Sequence, residues 1–213
     1  MRGKLTGGAA LAAALVLAGG ATAQGPRPLD ATATVPFFID EGEAGTGFEP
    51  GDRDLARWAL EAWADATGGV LRLREAPEEQ ALIRIYWAPP AGGQYGQMQP
   101  LVVGGQAGAA VFIRPDTAAL GPAIGPAAAR DPLLRDTIVY LTCLHELGHA
   151  VGLGHTDAYD DIMYSFQFGG DLVRYFTRFR ERVETRADIA RASGLSSGDR
   201  NRLRALYSTE GRP

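Results

Sequence analysis

Cysteine appears once in the 213 residues, at Cys143, so no intramolecular disulfide can hold this chain together. Its order must come from packing or from a bound ion. Long apolar runs are also missing: the most apolar stretch, residues 9–18, is shorter than the ~20 residues that a membrane-spanning helix needs. A membrane anchor is not expected in the mature chain. Nor is there a basic surplus, since 21 basic residues face 25 acidic ones and the arginines are interspersed with acids, which argues against a nucleic-acid partner. The glycine-rich loops contain no G-x-G-x-x-G and no P-loop in a strand-to-helix setting, so a nucleotide phosphate cradle is excluded as well.

Histidine is scarce but concentrated: all three lie in His145-Glu146-Leu147-Gly148-His149-Ala150-Val151-Gly152-Leu153-Gly154-His155. On a helix turning about 100° per residue, His149 falls about 40° round from His145 and Glu146 about 100°, so the three share one wedge. Tyr140, Cys143, Leu144, Leu147 and Val151 take the opposite side, a packing stripe that makes Cys143 a core residue rather than a reactive thiol. A continued helix would carry His155 about 120° off the wedge. The chain must therefore turn, and Gly152 is where a left-handed turn costs least, with Gly154 adding freedom. Three neutral imidazoles with a fourth position left for water make a catalytic zinc set. Glu146 is too close along the helix to be a natural fourth ligand and is placed instead to take a proton from water.

The pattern H-E-x-x-H-x-x-G-x-x-H is matched at every fixed position and resembles the signature of the metzincin zinc endopeptidases. Met163, in Asp161-Ile162-Met163-Tyr164, resembles the Met-turn that supports the zinc in that clan. Met163-Tyr164 and His155-Thr156 are most similar to the matrixin branch; where astacins and serralysins carry a tyrosine two residues after the methionine, this chain has Ser165. The closing LSSGDRNRLRALY resembles the last helix of matrixin catalytic domains.

The resemblance implies an α/β (α+β) zincin fold: a twisted mixed sheet, an active-site helix, a Met-turn and a C-terminal helix. It implies one catalytic Zn2+ on His145, His149 and His155, with Glu146 as general base and Gly152 and Met163 supporting the site. The implied substrate is a protein or peptide lying along an edge strand. Matrixins commonly hold a second, structural zinc, but no spare histidine exists for it here; calcium at Asp116 or Asp131 stays open. The cysteine that keeps many matrixins latent is absent from the prefix.

Arg2 and Lys4, the apolar residues 9–18 and Ala21-Thr22-Ala23 read as an export signal cleaved after Ala23, which implies a secreted or periplasmic protein. Removing residues 1–23 takes away two basic residues and no acid, leaving 19 basic against 25 acidic groups in residues 24–213. That length suits one domain, expected to be monomeric. Residues 24–36 should run extended or loose before a strand at 35–39. Leu55, Trp58, Ala59, Ala62, Trp63 and Ala66 recur at helical spacing over residues 52–66, with Asp52 as the starting cap, Gly68 at the end and both tryptophans in the core. Further strands are expected at 70–74, 82–87, 95–103 and 109–114. Residues 104–108 form the turn between the last two, and Pro100 marks 95–103 as an edge. Pro132 opens the histidine helix, which should run to about Val151, and residues 197–207 form the last helix.

Residues 166–193 are longer than the loop most matrixins have after the Met-turn. Leu172, Phe176, Phe179 and Val183 recur at helical spacing with Arg174, Arg178, Arg180, Glu181 and Arg182 between them, which predicts an amphipathic helix. In the family, this segment walls the pocket for the residue just past the scissile bond. The helix, with an aromatic side and an arginine-rich rim, is therefore expected either to pack as scaffold or to narrow that pocket or favour acidic residues there. Replacing residues 170–193 by a short loop is expected to leave the metal content intact and to change the cleavage-site preference. Two rival readings remain: a zinc amidase or carboxypeptidase, which would want a cation for a terminal carboxylate, and a non-catalytic zinc-binding peptide-recognition module with Asp157 or Asp160 closing the site.

Overall fold

The computed structural model describes residues 26–91 and 94–208. The export signal expected over residues 1–23 lies outside the described residues, among which no helix is long and apolar enough to cross a membrane. In chain order the elements are β1 (Val35–Ile39), α1 (Asp52–Ala66), β2 (Leu73–Glu75), β3 (Ile83–Trp87), β4 (Gly96–Val103) and β5 (Gln106–Ile113). Then follow α2 (Gly125–Arg130), α3 (Pro132–Ala150), α4 (Leu172–Arg180), α5 (Arg186–Ala192) and α6 (Ser197–Tyr207). The fold is α+β, built on one mixed sheet of order β2-β1-β3-β5-β4, parallel except for β4, which pairs antiparallel at the edge.

Alternation decides which face of the sheet is covered. Val35, Phe37 and Ile39 in β1 and Ile83, Ile85 and Trp87 in β3 are buried at every second position. The other face carries a cross-strand aromatic row, with Phe38–Tyr86 and Tyr86–Phe112 ring centroids 6.3 and 5.4 Å apart. The β4–β5 turn is tighter than the five glycine-rich residues suggest. Gly104 and Gly105 alone form it, at φ 57° and 83°, because two successive left-handed residues match the twist of a two-residue hairpin. Residues 106–108 consequently pair in β5 without any apolar signal. β2 starts later than expected, at Leu73, because the Thr67 hydroxyl donates to the Ala64 carbonyl and accepts from the Leu71 N–H, holding residues 67–71 in a turn.

Helix α1 lies along α3, and the buried Trp63 indole donates to the Leu144 carbonyl at 2.8 Å. Trp58 is less deeply placed, under the Arg186 guanidinium at 5.2 Å. Asp52 is not the cap of α1; Gly51 holds that position. The Asp52 carboxylate is fully buried, accepting from the Glu49 N–H and from both terminal nitrogens of Arg135 on α3. A guanidinium placed inside the fold needs such an anion more than a helix end needs its cap. Gly68, at φ 69°, ends α1 as expected.

The irregular segments refine one expectation and change another. Of the extended and loose alternatives for residues 24–36, residues 26–30 form no helix or strand but are anchored: Leu29 is buried, and its N–H donates to the Tyr207 hydroxyl at 3.1 Å, which donates in turn to the Val151 carbonyl at 3.1 Å. The segment 166–193 holds two helices rather than one. Phe176, Phe179 and Val183 are buried as expected, joined by Tyr175 and by Ile189 of α5, which a Thr185/Asp188 capping box starts.

Candidate metal centre

Helix α3 begins at Asp131, whose carboxylate accepts from the Leu133 and Leu134 N–H groups, with Pro132 in the first turn. It runs to Ala150 and delivers His145, Glu146 and His149. Gly152, at φ 104°, then reverses the chain, as the sequence requires for His155 to return. The Thr156 N–H donates to the Met163 carbonyl at 2.9 Å and the Ser165 N–H to the Thr156 carbonyl at 3.0 Å, which closes the loop that follows His155.

The three imidazoles meet. Nε2 of His155 lies 3.2 Å from Nε2 of His145 and 3.1 Å from Nε2 of His149. The opposite nitrogens fix the tautomers: Nδ1 of His145 donates to the Ile162 carbonyl at 2.7 Å, and Nδ1 of His149 to the Leu153 carbonyl at 2.8 Å. A carbonyl only accepts, so each neutral ring keeps its proton on Nδ1 and turns a bare Nε2 lone pair inward. Lone pairs that close repel one another, whereas ligands ~2.1 Å from a tetrahedral ion stand about 3.4 Å apart. Burial, and for His145 and His149 the charge of neighbouring imidazoles, push the pKa of His145 down to about 3 and of His149 down to about 4, and burial lowers that of His155. All three rings are thus in the neutral form that a cation binds. This triad can hold a metal ion.

Among the described residues no carboxylate or thiol joins that cluster. Asp157 is exposed and Asp160 pairs with Arg178 at 2.9 Å, so neither closes the site. The two aspartates open to calcium are engaged otherwise: Asp116 accepts from the Ala118 N–H, and Asp131 caps α3 and pairs with Arg180 at 2.9 Å. Cys143 is fully buried on the packing side, where burial pushes its thiol pKa up.

Glu146 lies beneath the edge strand. A Cβ on Gly96 would stand 2.5 Å from Glu146 Cγ, so only glycine lets β4 pass this close. The Met98 N–H donates to the carboxylate, and burial pushes its pKa up to about 8 against the opposing pull of Arg114 and that N–H. Met163 is fully buried under α3, where a Cβ on Gly148 would come 2.2 Å from its Sδ and 2.9 Å from the Trp63 ring. Gly148, between the two helical ligands, is where Trp63 and Met163 both reach the backbone.

Sequence patterns missed two braces of this site. Asp199 of α6, fully buried, accepts from the Ile162 N–H at 2.8 Å and the Ser196 N–H at 3.0 Å. Its signal is the Ser196-x-x-Asp199 capping box, which says where a helix starts but not what else the carboxylate holds. Tyr175 donates to the Ile162 carbonyl at 3.0 Å and had no signal, since tyrosine at a helical apolar position reads as packing.

Beside His145 and Glu146 opens a cleft between α3, the start of β4 and α4, lined by Tyr95, Leu141, Phe166, Leu172, Tyr175 and Phe176 among others. Tyr95 and Phe176 rings meet across it at 5.7 Å. Its walls correct the expectation of an arginine-rich rim. Arg174 pairs with Glu181, Arg178 with Asp160, and Arg180 with Asp131, while the Arg182 guanidinium bonds the Ala192 carbonyl. None of the four lines the cleft, which is aromatic and aliphatic. The chain matches no model of a known protein family, and comparison with curated proteins finds no match either.

Proposed function

We propose that the protein is a zinc-dependent endopeptidase of matrixin-like type, acting outside the cytoplasm. The observation that carries this reading is the convergence of three Nε2 lone pairs, two of them oriented by backbone carbonyls, next to a buried carboxylate that is not part of the triad. The donor set fits zinc, for which neutral imidazoles are well suited, and leaves a fourth position free. Zinc held there supplies a Lewis acid for the scissile carbonyl and lowers the pKa of water towards ~7.

The chain's own groups do the rest. Glu146 takes the proton of the attacking water and passes it to the leaving amine, a transfer worth roughly 10²–10⁴ in rate. The Met98 N–H and the Arg114 charge favour its ionised form, and a cation on the triad does so further. β4 bonds only to β5 within the sheet, so its other side can pair with an extended peptide, except at the Met98 N–H, which Glu146 takes, and at Pro100, which has no N–H. The apolar cleft beside His145 takes the side chain past the scissile bond, so apolar residues are favoured there over acidic ones.

Digestion of a proteome-derived peptide mixture, with and without a chelator, tests the reading. Glu146→Gln should lower cleavage at least about 100-fold while about one equivalent of zinc stays bound. Loss of zinc from that variant, or chelator-insensitive cleavage by the wild type, contradicts it. One observation favours a carboxypeptidase as the second reading: Nε and Nη1 of Arg114 are buried with no hydrogen-bond partner among the described residues, and its charge acts on Glu146. Cleavage restricted to C-terminal residues in the same digest would select it.

A further inference from the structure

We propose that Tyr175, on the α4 insertion, is a positioning residue for the metal ligand His145 and acts through the Ile162 carbonyl. The inference rests on the zinc reading above. His145 Nδ1 donates to that carbonyl at 2.7 Å, and the Tyr175 hydroxyl donates to the same oxygen at 3.0 Å, its nearer acceptor, the Asp161 carbonyl lying at 3.3 Å. A carbonyl oxygen has two lone pairs, and these two donors use both. The other end of the Ile162 residue is fixed as well, by its N–H on Asp199 at 2.8 Å. His145 is therefore aimed by a backbone unit that α6 grips at the nitrogen and α4 at the oxygen.

The hydroxyl is held where it can only be a donor here. Tyr175 is buried, and burial raises its pKa far above the usual phenol range, so the proton stays on. Its ring is fixed edge-on by Phe166 at 5.1 Å and Phe176 at 5.5 Å, and Arg178 stacks on it at 4.5 Å. Arg178 is itself tied to the Tyr159 carbonyl and to Asp160 in the loop after His155. Removing the hydroxyl leaves this packing in place and frees one lone pair of the Ile162 carbonyl. The carbonyl can then swing, and the His145 ring with it. Groups that hydrogen-bond a metal ligand directly typically change its affinity about 10–100-fold when lost, and Tyr175 stands one hydrogen bond further out, so the low end of that range applies.

The test compares wild type, Tyr175→Phe and Phe179→Leu. Phe179 is on the same helix and packs against Tyr140 at 5.6 Å, so it controls for a general loosening of α4. Three readouts apply: the zinc dissociation constant by competition with a chromophoric chelator, the visible spectrum of the Co2+-loaded protein, and the Tm of the metal-free protein. Tyr175→Phe should weaken zinc about tenfold and alter the Co2+ bands, while Phe179→Leu lowers Tm without moving either. Wild-type zinc affinity in Tyr175→Phe, or affinity lost in both variants in step with Tm, overturns the proposal. Tyr175→Met, which also lacks the donor, replaces the phenylalanine variant if that one does not fold. A wild type that binds zinc tightly but cleaves no peptide overturns the endopeptidase reading alone; one that binds no zinc overturns both.

Discussion

Gly148 is a tightly confined position of α3, between His145 and His149. With Met163 Sδ 2.2 Å and Trp63 2.9 Å from where a Cβ would stand, alanine must push the Met163 loop and α1 away from α3. Overpacking of this kind costs typically ~1–3 kcal/mol, so Gly148→Ala should lower the urea midpoint by a corresponding amount and reduce zinc content. An unchanged midpoint would mean that Met163 can move at no cost. The titrating groups of the site give a second expectation, for the metal-free protein. Unfolded histidines take up protons near 6.5, whereas folded His145 and His149 resist until about 3 and about 4. As pH falls below 6.5 the unfolded chain binds more protons, and stability is lost. Glu146 has the opposite sign: its folded pKa of about 8 against 4.5 unfolded gives stability that is lost as pH rises between these values. Stability in chelator should therefore peak near pH 6.5 and decline on both sides. In Glu146→Gln the alkaline decline should vanish while the acid one stays, which denaturation midpoints across pH 5 to 8.5 will show.

Elements with a strong period were legible in the sequence. α1 and α6 occupy the residues expected of them, and α3 follows from Pro132 and the histidine spacing. What stayed hidden depended on partners distant in sequence. Asp52 reads as a cap until Arg135, 83 positions away, is seen to need it, and breaking such a buried pair costs ~3–5 kcal/mol. Asp52→Ala should therefore unfold the protein at clearly lower denaturant. Residues 166–193 carry the same lesson. Its arginines look like a rim in sequence, but three of the four pair with acids on the surface, and the apolar side supplies core. Replacing residues 170–193 by a short loop would remove Tyr175, Phe176, Phe179, Val183 and Ile189 together. The expectation that metal content survives this replacement reverses: the chain should fail to fold and bind no zinc. Phe176→Ala is the sharper experiment on specificity. It costs roughly 3–5 kcal/mol and enlarges the cleft, so cleavage should shift towards larger side chains after the scissile bond. An unchanged preference in the folded variant would place that side chain elsewhere.

At the scale of the whole molecule, segments far apart in sequence converge behind the histidine triad. The described chain enters beside Gly152, where a Cβ would come 2.6 Å from the Pro28 nitrogen, and α6 ends at the same spot. One hydroxyl joins them: Tyr207 accepts from the Leu29 N–H and donates to the Val151 carbonyl, each at 3.1 Å. Val151 immediately precedes the turn that carries the Leu153 carbonyl, on which His149 rests, and then His155. Composition made residues 24–36 look like a loose prefix, because proline and alanine say nothing about which backbone groups a distant tyrosine will satisfy. Tyr207→Phe should cost about 1–3 kcal/mol, since a buried N–H and a buried C=O both lose their partner. A chain shortened to begin at Ala31 should be destabilised too, through loss of the Leu29 burial and of the same N–H contact. If Tyr207 truly bridges the two segments, the losses cannot add. Shortening the Tyr207→Phe chain removes an N–H that is already without its acceptor, so the double change should cost less than the separate changes combined. Additive costs, measured by denaturation of the four proteins, would show that the prefix and α6 stabilise the turn after α3 independently.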